Sequence, residues 1–386
     1  MKKLTLTFLA LAALVAGADS KIYIEGAGAE KLLVSVDVGG SKAFNDSLKR
    51  NLDFSSVFKL QNGAPIKVTG EVGGTVKVEG GGKVLTLPSK AADDRAARME
   101  ARALADKMVE IYTGGKQKGF AQDRIVFVAK KGPDNSELCL SYPDGYDMQQ
   151  LTADRRTSVG PRWFGKNSIF YTGYLGGGPE IWEYNLSTRK RTRKWGFKGL
   201  ATGATVSPDA TRAAIILSVH GNPELYVIDI ASGSWVRLTT TKAASEGQPS
   251  WSPDGRSIVY VSDETRRQHL YKIDAQTKAK KRLTSSGTQN VDPDWGRDGR
   301  IVYVTKRGGT NQIAVMESAE GDASATLVTE PGNWEHPSWA RDGRHVVASR
   351  DDALYILDTV PVEKGGDAPK RLFNNSGRWI TPSWQK

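Results

Sequence analysis

Among 386 residues the sequence contains one cysteine, Cys139, and four histidines. A single thiol excludes an intrachain disulfide and a thiolate metal cluster. Its distance from the amino terminus also excludes an acyl-anchored lipoprotein. The histidines, at positions 220, 269, 336 and 345, are a scattered set and not the converging ligands of a metal centre. Gly-x-Ser-x-Gly, His-Glu-x-x-His and the phosphate loop are all missing, which removes the common signatures of hydrolases and nucleotide enzymes. Gly26 and Gly28 lack the third glycine of a dinucleotide fingerprint, and a strand pattern follows where a helix is required. Long apolar runs are missing as well: Leu4 to Val15 is too short to span a bilayer.

That short run has a different meaning. Lys2 and Lys3 precede it and the small residues Ala16-Gly17-Ala18 close it, the pattern of a secretory signal cleaved after Ala18. A mature chain beginning at Asp19 outside the cytoplasm is expected. The formal charge of +11 falls to +9 once Lys2 and Lys3 leave. Basic runs at Arg189-Lys190-Arg191, Arg193-Lys194 and Lys278 to Arg282 read as solvated faces of outer strands, with attraction to an anionic envelope polymer or an acidic partner as the alternative. An exported protein has little occasion to meet nucleic acid.

Glycine is plentiful, and many short apolar runs are separated by Gly, Pro, Asp and Asn, which favours strands and tight turns. The phrase "PSWSPDGRSIVYVSD" returns as "PDWGRDGRIVYVTK" and "PSWARDGRHVVASR". Trp251, Trp295, Trp339 and Trp384 fall 44, 44 and 45 residues apart, and the period extends backwards to Val206 and Trp163. Within a unit, a strand ending at Trp251 is followed by the turn Ser252-Pro253-Asp254-Gly255, a second strand to Ser262, "HLYKID" and "KKRLT". Four short strands in such a period describe a propeller blade. "DRIVFVAKK" lies four periods before "DGRIVYVTK" but has no Pro-x-Trp strand of its own, whereas "TPSWQK" is left over at the other end. Lending that strand to the first blade closes a ring and removes two raw sheet edges. Residues 124–386 hold six such units. The tryptophans fill wedges between blades, and Val206 should leave one junction less filled.

Residues 19–120 carry no repeat. "EKLLVSVDV" reads as a buried strand, Ala43 to Leu52 as a helix, "IKVTGEV", "TVKVEG" and "KVLTLP" as strands, and Ala91 to Tyr112 as a long helix before a Gly/Lys linker. The expected organisation is a signal peptide (1–18), an α+β N-terminal domain (19–120) and an all-β six-bladed β-propeller (121–386).

Three further stretches carry a family likeness: "LADKMVEIYTGGKQKGFAQDRIVFV" at the domain junction, "SYPDGYDMQQLT" with Asp144-Gly145-Tyr146, and "DSKIYIEG" directly after the signal. With the repeats, they resemble the TolB family of the Tol-Pal envelope system. The resemblance is firm from Leu104 onward and weaker between Ala43 and Lys90, where this sequence is shorter. It implies a periplasmic, monomeric binding hub without catalytic activity, cofactor or metal, peripheral to the membrane and without nucleic-acid binding. It implies as partners the peptidoglycan-associated lipoprotein Pal at the propeller and the inner-membrane-anchored TolA at the N-terminal segment, in support of outer-membrane integrity and cell division. The competing class is a carbohydrate- or peptide-processing enzyme working in the propeller funnel.

In a blade of this order, the residues just before Pro-x-Trp reach the funnel rim. These are Gly160 and Arg162, Thr202, Gly203 and Ala204, Glu246, Gly247 and Gln248, Asn290 and Asp292, Glu335 and His336, and Trp379 as an exposed aromatic. Small and polar residues of this kind suit a protein-binding rim more than a dry substrate pocket, and the resemblance makes this the Pal-docking face. In "DSKIYIEG", Ile22 and Ile24 fall on one side and Tyr23 and Glu25 on the other, as in a strand added to a partner's sheet edge, here TolA's.

Overall fold

A computed structural model of the chain describes residues 30–385. The signal segment, its cleavage site and Ile22, Tyr23, Ile24 and Glu25 lie outside the described residues.

The N-terminal unit is a five-stranded sheet under two helices. Strand β1 (Leu32–Gly39) lies in the middle, parallel to β2 (Phe58–Leu60) on one side and to β3 (Ile66–Glu71) on the other, and β4 (Thr75–Gly80) and β5 (Lys83–Pro88) continue as an antiparallel meander. Helix α1 (Lys42–Phe54) starts because Ser41 is extended and its Oγ accepts from the Phe44 amide at 3.2 Å. Helix α2 (Asp94–Tyr112) starts three residues later than its apolar pattern, because the Asp93 side chain caps it by accepting from the Ala96 amide at 2.7 Å. Val34, Phe44, Leu48, Leu52, Phe58, Leu104 and Met108 form the shared core.

From Ile125 onward the chain makes six four-stranded antiparallel sheets. Blade 1 takes its inner strand from Trp379–Trp384, which pairs with Ile125–Gly132, so the ring closes as the spare strand implied. The inner strands of blades 2 to 6 are Ser158–Phe164, Ala201–Val206, Glu246–Trp251, Gln289–Trp295 and Trp334–Trp339, and each touches the next all the way round.

The repeated residues explain their own recurrence. In the turn after Trp251, Asp254 accepts from the Ser252 hydroxyl at 2.6 Å and the Arg256 amide at 3.0 Å, closing the hairpin through its side chain. Arg212 and Arg300, which follow equivalent turns, reach to the next blade: Arg212 donates to the Gly255 carbonyl at 2.8 Å and lies 4.9 Å from the Trp251 ring, and Arg300 stacks on Trp339 in the same way. Below the rim the blades are stitched by buried side chains. The Ser250 hydroxyl donates to Asp294, which accepts from Ser338 Oγ at 3.2 Å and the Trp339 amide at 2.8 Å, and Ser338 in turn accepts from the Trp384 amide at 3.1 Å. Trp251, Trp295, Trp339 and Trp384 are buried, whereas Trp163 and Val206 stay partly exposed.

The N-terminal unit sits against blades 6 and 1. In a four-stranded antiparallel blade the first and third connections share one face of the disc, and the contacts fall there: on His345, which follows the first connection of blade 6, on Asp367 in its third, and on Asp144 of blade 1. Arg102 of α2 is fully buried, with its guanidinium on both oxygens of Asp144 at 2.8 and 2.9 Å, and Ser47 of α1 donates to the same carboxylate at 2.7 Å. Among the described residues the N-terminal unit makes no hydrogen bond or ion pair with the opposite face, where the chain enters each inner strand.

Candidate functional site

Every inner strand carries the same irregularity near its entry. Two of its residues oppose one residue of the second strand, at Gly160-Pro161, Gly203-Ala204, Gln248-Pro249, Asp292-Pro293, His336-Pro337 and Thr381-Pro382. The first member always has positive φ, between 47° at Thr381 and 68° at Gly203. In five of the six the second member is proline, which has no N–H for the ladder and so suits an unpaired position, and Gly203-Ala204 of blade 3 keeps the same bulge without it. The sequence reading placed these residues in a connection before the strand; the structure runs the strand through the proline.

The pleat then decides which side chains are accessible. One residue before each left-handed position stand Val159, Thr202, Gly247, Val291, Glu335 and Ile380, all exposed or partly exposed. Two residues before stand Glu246, Asn290 and Trp379, all buried. Trp379 is therefore not an exposed aromatic: it is 5% exposed and packs against Phe373 with ring centroids 4.6 Å apart. Asn290 holds the Ser286 carbonyl at 2.8 Å, and Glu246 accepts from the Ser262 hydroxyl at 3.1 Å. Burial and the nearby Glu224 carboxylate push the Glu246 carboxyl up to about 7. Ala204 stands where the other five blades carry the bulge proline and is buried as they are. Of the expected set, Gly160, Arg162, Thr202, Gly203, Gly247, Gln248, Glu335 and His336 keep accessible surface. Val159, Val291 and Ile380 belong with them and were missed, although each stands four residues before the Trp of its blade, the position that Gly247 and Glu335 hold.

A bonded run of three side chains spans blades 4 to 6 at the mouth. Gln248 and Asp292 bond each other twice, through the Gln248 amide nitrogen to Asp292 Oδ1 and from the Asp292 amide to Gln248 Oε1 at 2.9 Å. Asp292 Oδ2 accepts from the His336 amide at 3.0 Å. Asp292 is buried by these bonds, so it positions Gln248 and His336 and is not itself presented. The resulting rim mixes the polar side chains of Gln248 and His336, a carboxylate at Glu335 and aliphatic side chains around a glycine. Among the described residues no group of three or more His, Cys, Asp or Glu is arranged to hold a metal, and no helix is long and apolar enough to cross a membrane.

A family model described as the TolB beta propeller domain matches residues 110–386. The chain belongs to the TolB propeller family. It is 30% identical over 179 residues to the Tol-Pal system protein TolB of Bordetella pertussis, a stretch covering 46% of this chain and 40% of that protein. It is 32% identical over 160 residues to the Tol-Pal system protein TolB of Anaeromyxobacter dehalogenans, covering 41% and 36%. The chain thus spans about 40% of the length of the curated relatives it matches. The crystal structure of TolB from Acinetobacter baumannii superposes with a TM-score of 0.78 at 20% identity, covering 93% of this chain and 98% of that one.

One arrangement in this TolB-family chain has the outline of catalytic machinery, and it lies away from the funnel. Ser56 Oγ is 3.0 Å from His345 Nε2, and His345 Nδ1 is 2.5 Å from Asp342, a serine, histidine and aspartate in line across the contact between the N-terminal unit and blade 6. No local motif announces it, since Ser56 stands 289 residues from its histidine. Its chemistry is that of a clasp. The Ser56 hydroxyl donates to Asp367 at 2.8 Å, so its proton is not directed at the imidazole, and Ser56 and His345 are 3% and 1% exposed. Phe120 covers the histidine ring at 4.8 Å, and the cavity beside Asp342 has about 10 Å³, room for one water at most. Burial pushes the Asp342 carboxyl up, but the facing His345 more than offsets this and holds it below the ordinary aspartate value.

Proposed function

We propose that this protein is a non-enzymatic hub of a Tol-Pal-type envelope system, exported to the periplasm with its signal removed after Ala18. The propeller rim holds a Pal-like lipoprotein, and the segment Ile22 to Glu25 adds as a strand to a TolA-like inner-membrane protein. Together these contacts support outer-membrane integrity and constriction during division. The observation carrying the reading is the rim itself: six equivalent bulges surround a mouth on the face that, among the described residues, the N-terminal unit does not contact. The relatives named as Tol-Pal system proteins support a place in that system, and Pal and TolA as the partners follow from the sequence resemblance.

Gly247 gives the test. A Cβ built there meets nothing within 4 Å and its φ is not in the left-handed region, so Gly247→Arg leaves the fold intact while filling the mouth with a bulky charge. Binding of purified Pal should weaken by about tenfold or more with unchanged melting. Gly255 in the opposite hairpin has φ +68°, so Gly255→Arg should lower the melting temperature and spare binding by the folded fraction. Undiminished Pal binding by Gly247→Arg refutes the rim as the site. Removal of residues 19–26 should abolish TolA binding alone.

A further inference from the structure

An accessible aromatic cleft lies on the flank of the disc, between the outer strands of blades 2 and 3. Trp195, Phe197, Val219 and Trp235 line an open cleft of about 470 Å³, with Gly196 and Gly233 keeping it free of further side chains and Lys198 at its edge. Trp235 is 42% exposed and the next residue, Val236, 54%. The indole is nevertheless fixed in orientation, edge to face with Tyr226 at 5.3 Å and with Phe197 at 6.3 Å. A rigid aromatic plane held in solvent costs apolar exposure without adding to the core, and it marks a recognition surface.

The charge beside it is uneven. Residues 189–198 carry Arg189, Lys190, Arg191, Arg193, Lys194 and Lys198. Asp154, Glu180 and Glu183 pair with Arg191, Arg193 and Lys194. Among the described residues no carboxylate pairs with Arg189, Lys190 or Lys198. An occupant that suits both features has flat rings with apolar faces and spaced negative charges. Pyranose rings have such faces in their axial C–H bonds, and uronic-type sugars add a carboxylate at each ring.

We propose that this cleft binds a carboxylated glycan strand of the cell envelope, one sugar ring stacked on Trp235 and its carboxylates reaching Lys198 and the free cations of the neighbouring strand. The preference for a glycan over a nucleic acid rests on the proposed envelope location; the cleft itself is independent of the rim and of Pal.

Calorimetric titration of the purified chain with alginate oligosaccharides, a neutral cello-oligosaccharide and an oligothymidylate of matched charge separates the cases. Alginate should bind, weaken with added salt, and lose about tenfold in affinity in Trp235→Ala and severalfold in Lys198→Glu, with melting unchanged in both. Both variants should bind Pal as the parent does, so failure here and failure of the rim assignment are distinguishable. Absence of alginate binding, equal binding of the neutral oligosaccharide, tighter binding of oligothymidylate, or alginate affinity indifferent to Trp235→Ala each overturns the proposal.

Discussion

Replacing Arg102 by methionine should show how much of this molecule's stability lies in one buried contact between its two parts. Asp144 accepts from Arg102 Nε and Nη2 at 2.8 and 2.9 Å, from Ser47 at 2.7 Å and from the Tyr146 amide at 3.0 Å, and both members of the pair are solvent-excluded. The guanidinium also reaches Asp147 at 2.9 Å and lies 3.8 Å from the centre of the Tyr142 ring. Methionine keeps most of the length and volume but strips the carboxylate of its counter-charge. The neutral donors that remain do not offset a buried anion, so the loss should be about 3–5 kcal/mol. For a chain of this size that corresponds to a melting temperature lower by roughly 5–10 °C. Adding Asp144→Asn removes the stranded charge while keeping an acceptor, and should recover about 1–2 kcal/mol. Calorimetry at neutral pH measures both, and trypsin cleavage at Lys116 and Lys118 should quicken in the single variant as the parts separate. A loss under about 1 kcal/mol, or a double variant no better than the single, would refute the reasoning.

Two further outcomes are expected. The raised carboxyl of Glu246 binds its proton more tightly in the folded chain than in the unfolded one, so its contribution is present at acid pH and lost as pH rises from about 4.5 through about 7. Glu246→Gln should flatten the melting profile across that window and be more stable at pH 7.5 by about 1–2 kcal/mol; coincident profiles would remove the assignment. Deleting residues 380–386 strips blade 1 of its inner strand, and the product should melt lower and aggregate, which light scattering during a thermal ramp will follow; unchanged melting would mean that Trp384 and Ile125 are dispensable to closure.

The tryptophan spacing made the blade count and the borrowed strand readable, because each Trp marks the same place in a repeated wedge and any shift of register would empty it. The boundary of the inner strand was not readable, because proline usually ends strands and here it passes through a bulge, as at Gln248-Pro249. That single displacement moved Glu246, Asn290 and Trp379 from the rim into the packing between strands. Nor does anything local to α2 tell Arg102 from its exposed neighbours: it lies on the same helix face as Arg98, Ala105 and Val109, and only the arrival of Asp144 from blade 1 makes that position tolerable. The clasp at Ser56 and His345 is hidden for the same reason, being built from segments that meet only in the folded chain.

The borrowed strand also constrains when the molecule can form. Ile125 and Trp384 are neighbours in the sheet yet stand at opposite ends of the propeller sequence, so blade 1 has no inner strand until the whole ring has been synthesised. Blades 2 to 6 can assemble in order as they emerge, each laid against its predecessor, while the first waits with an open edge. Completion then depends on a loop closure spanning the propeller, the slowest kind of contact to make. A ribosome-bound chain is held short of its native state by its own topology until the strand Trp379–Trp384 is free to dock.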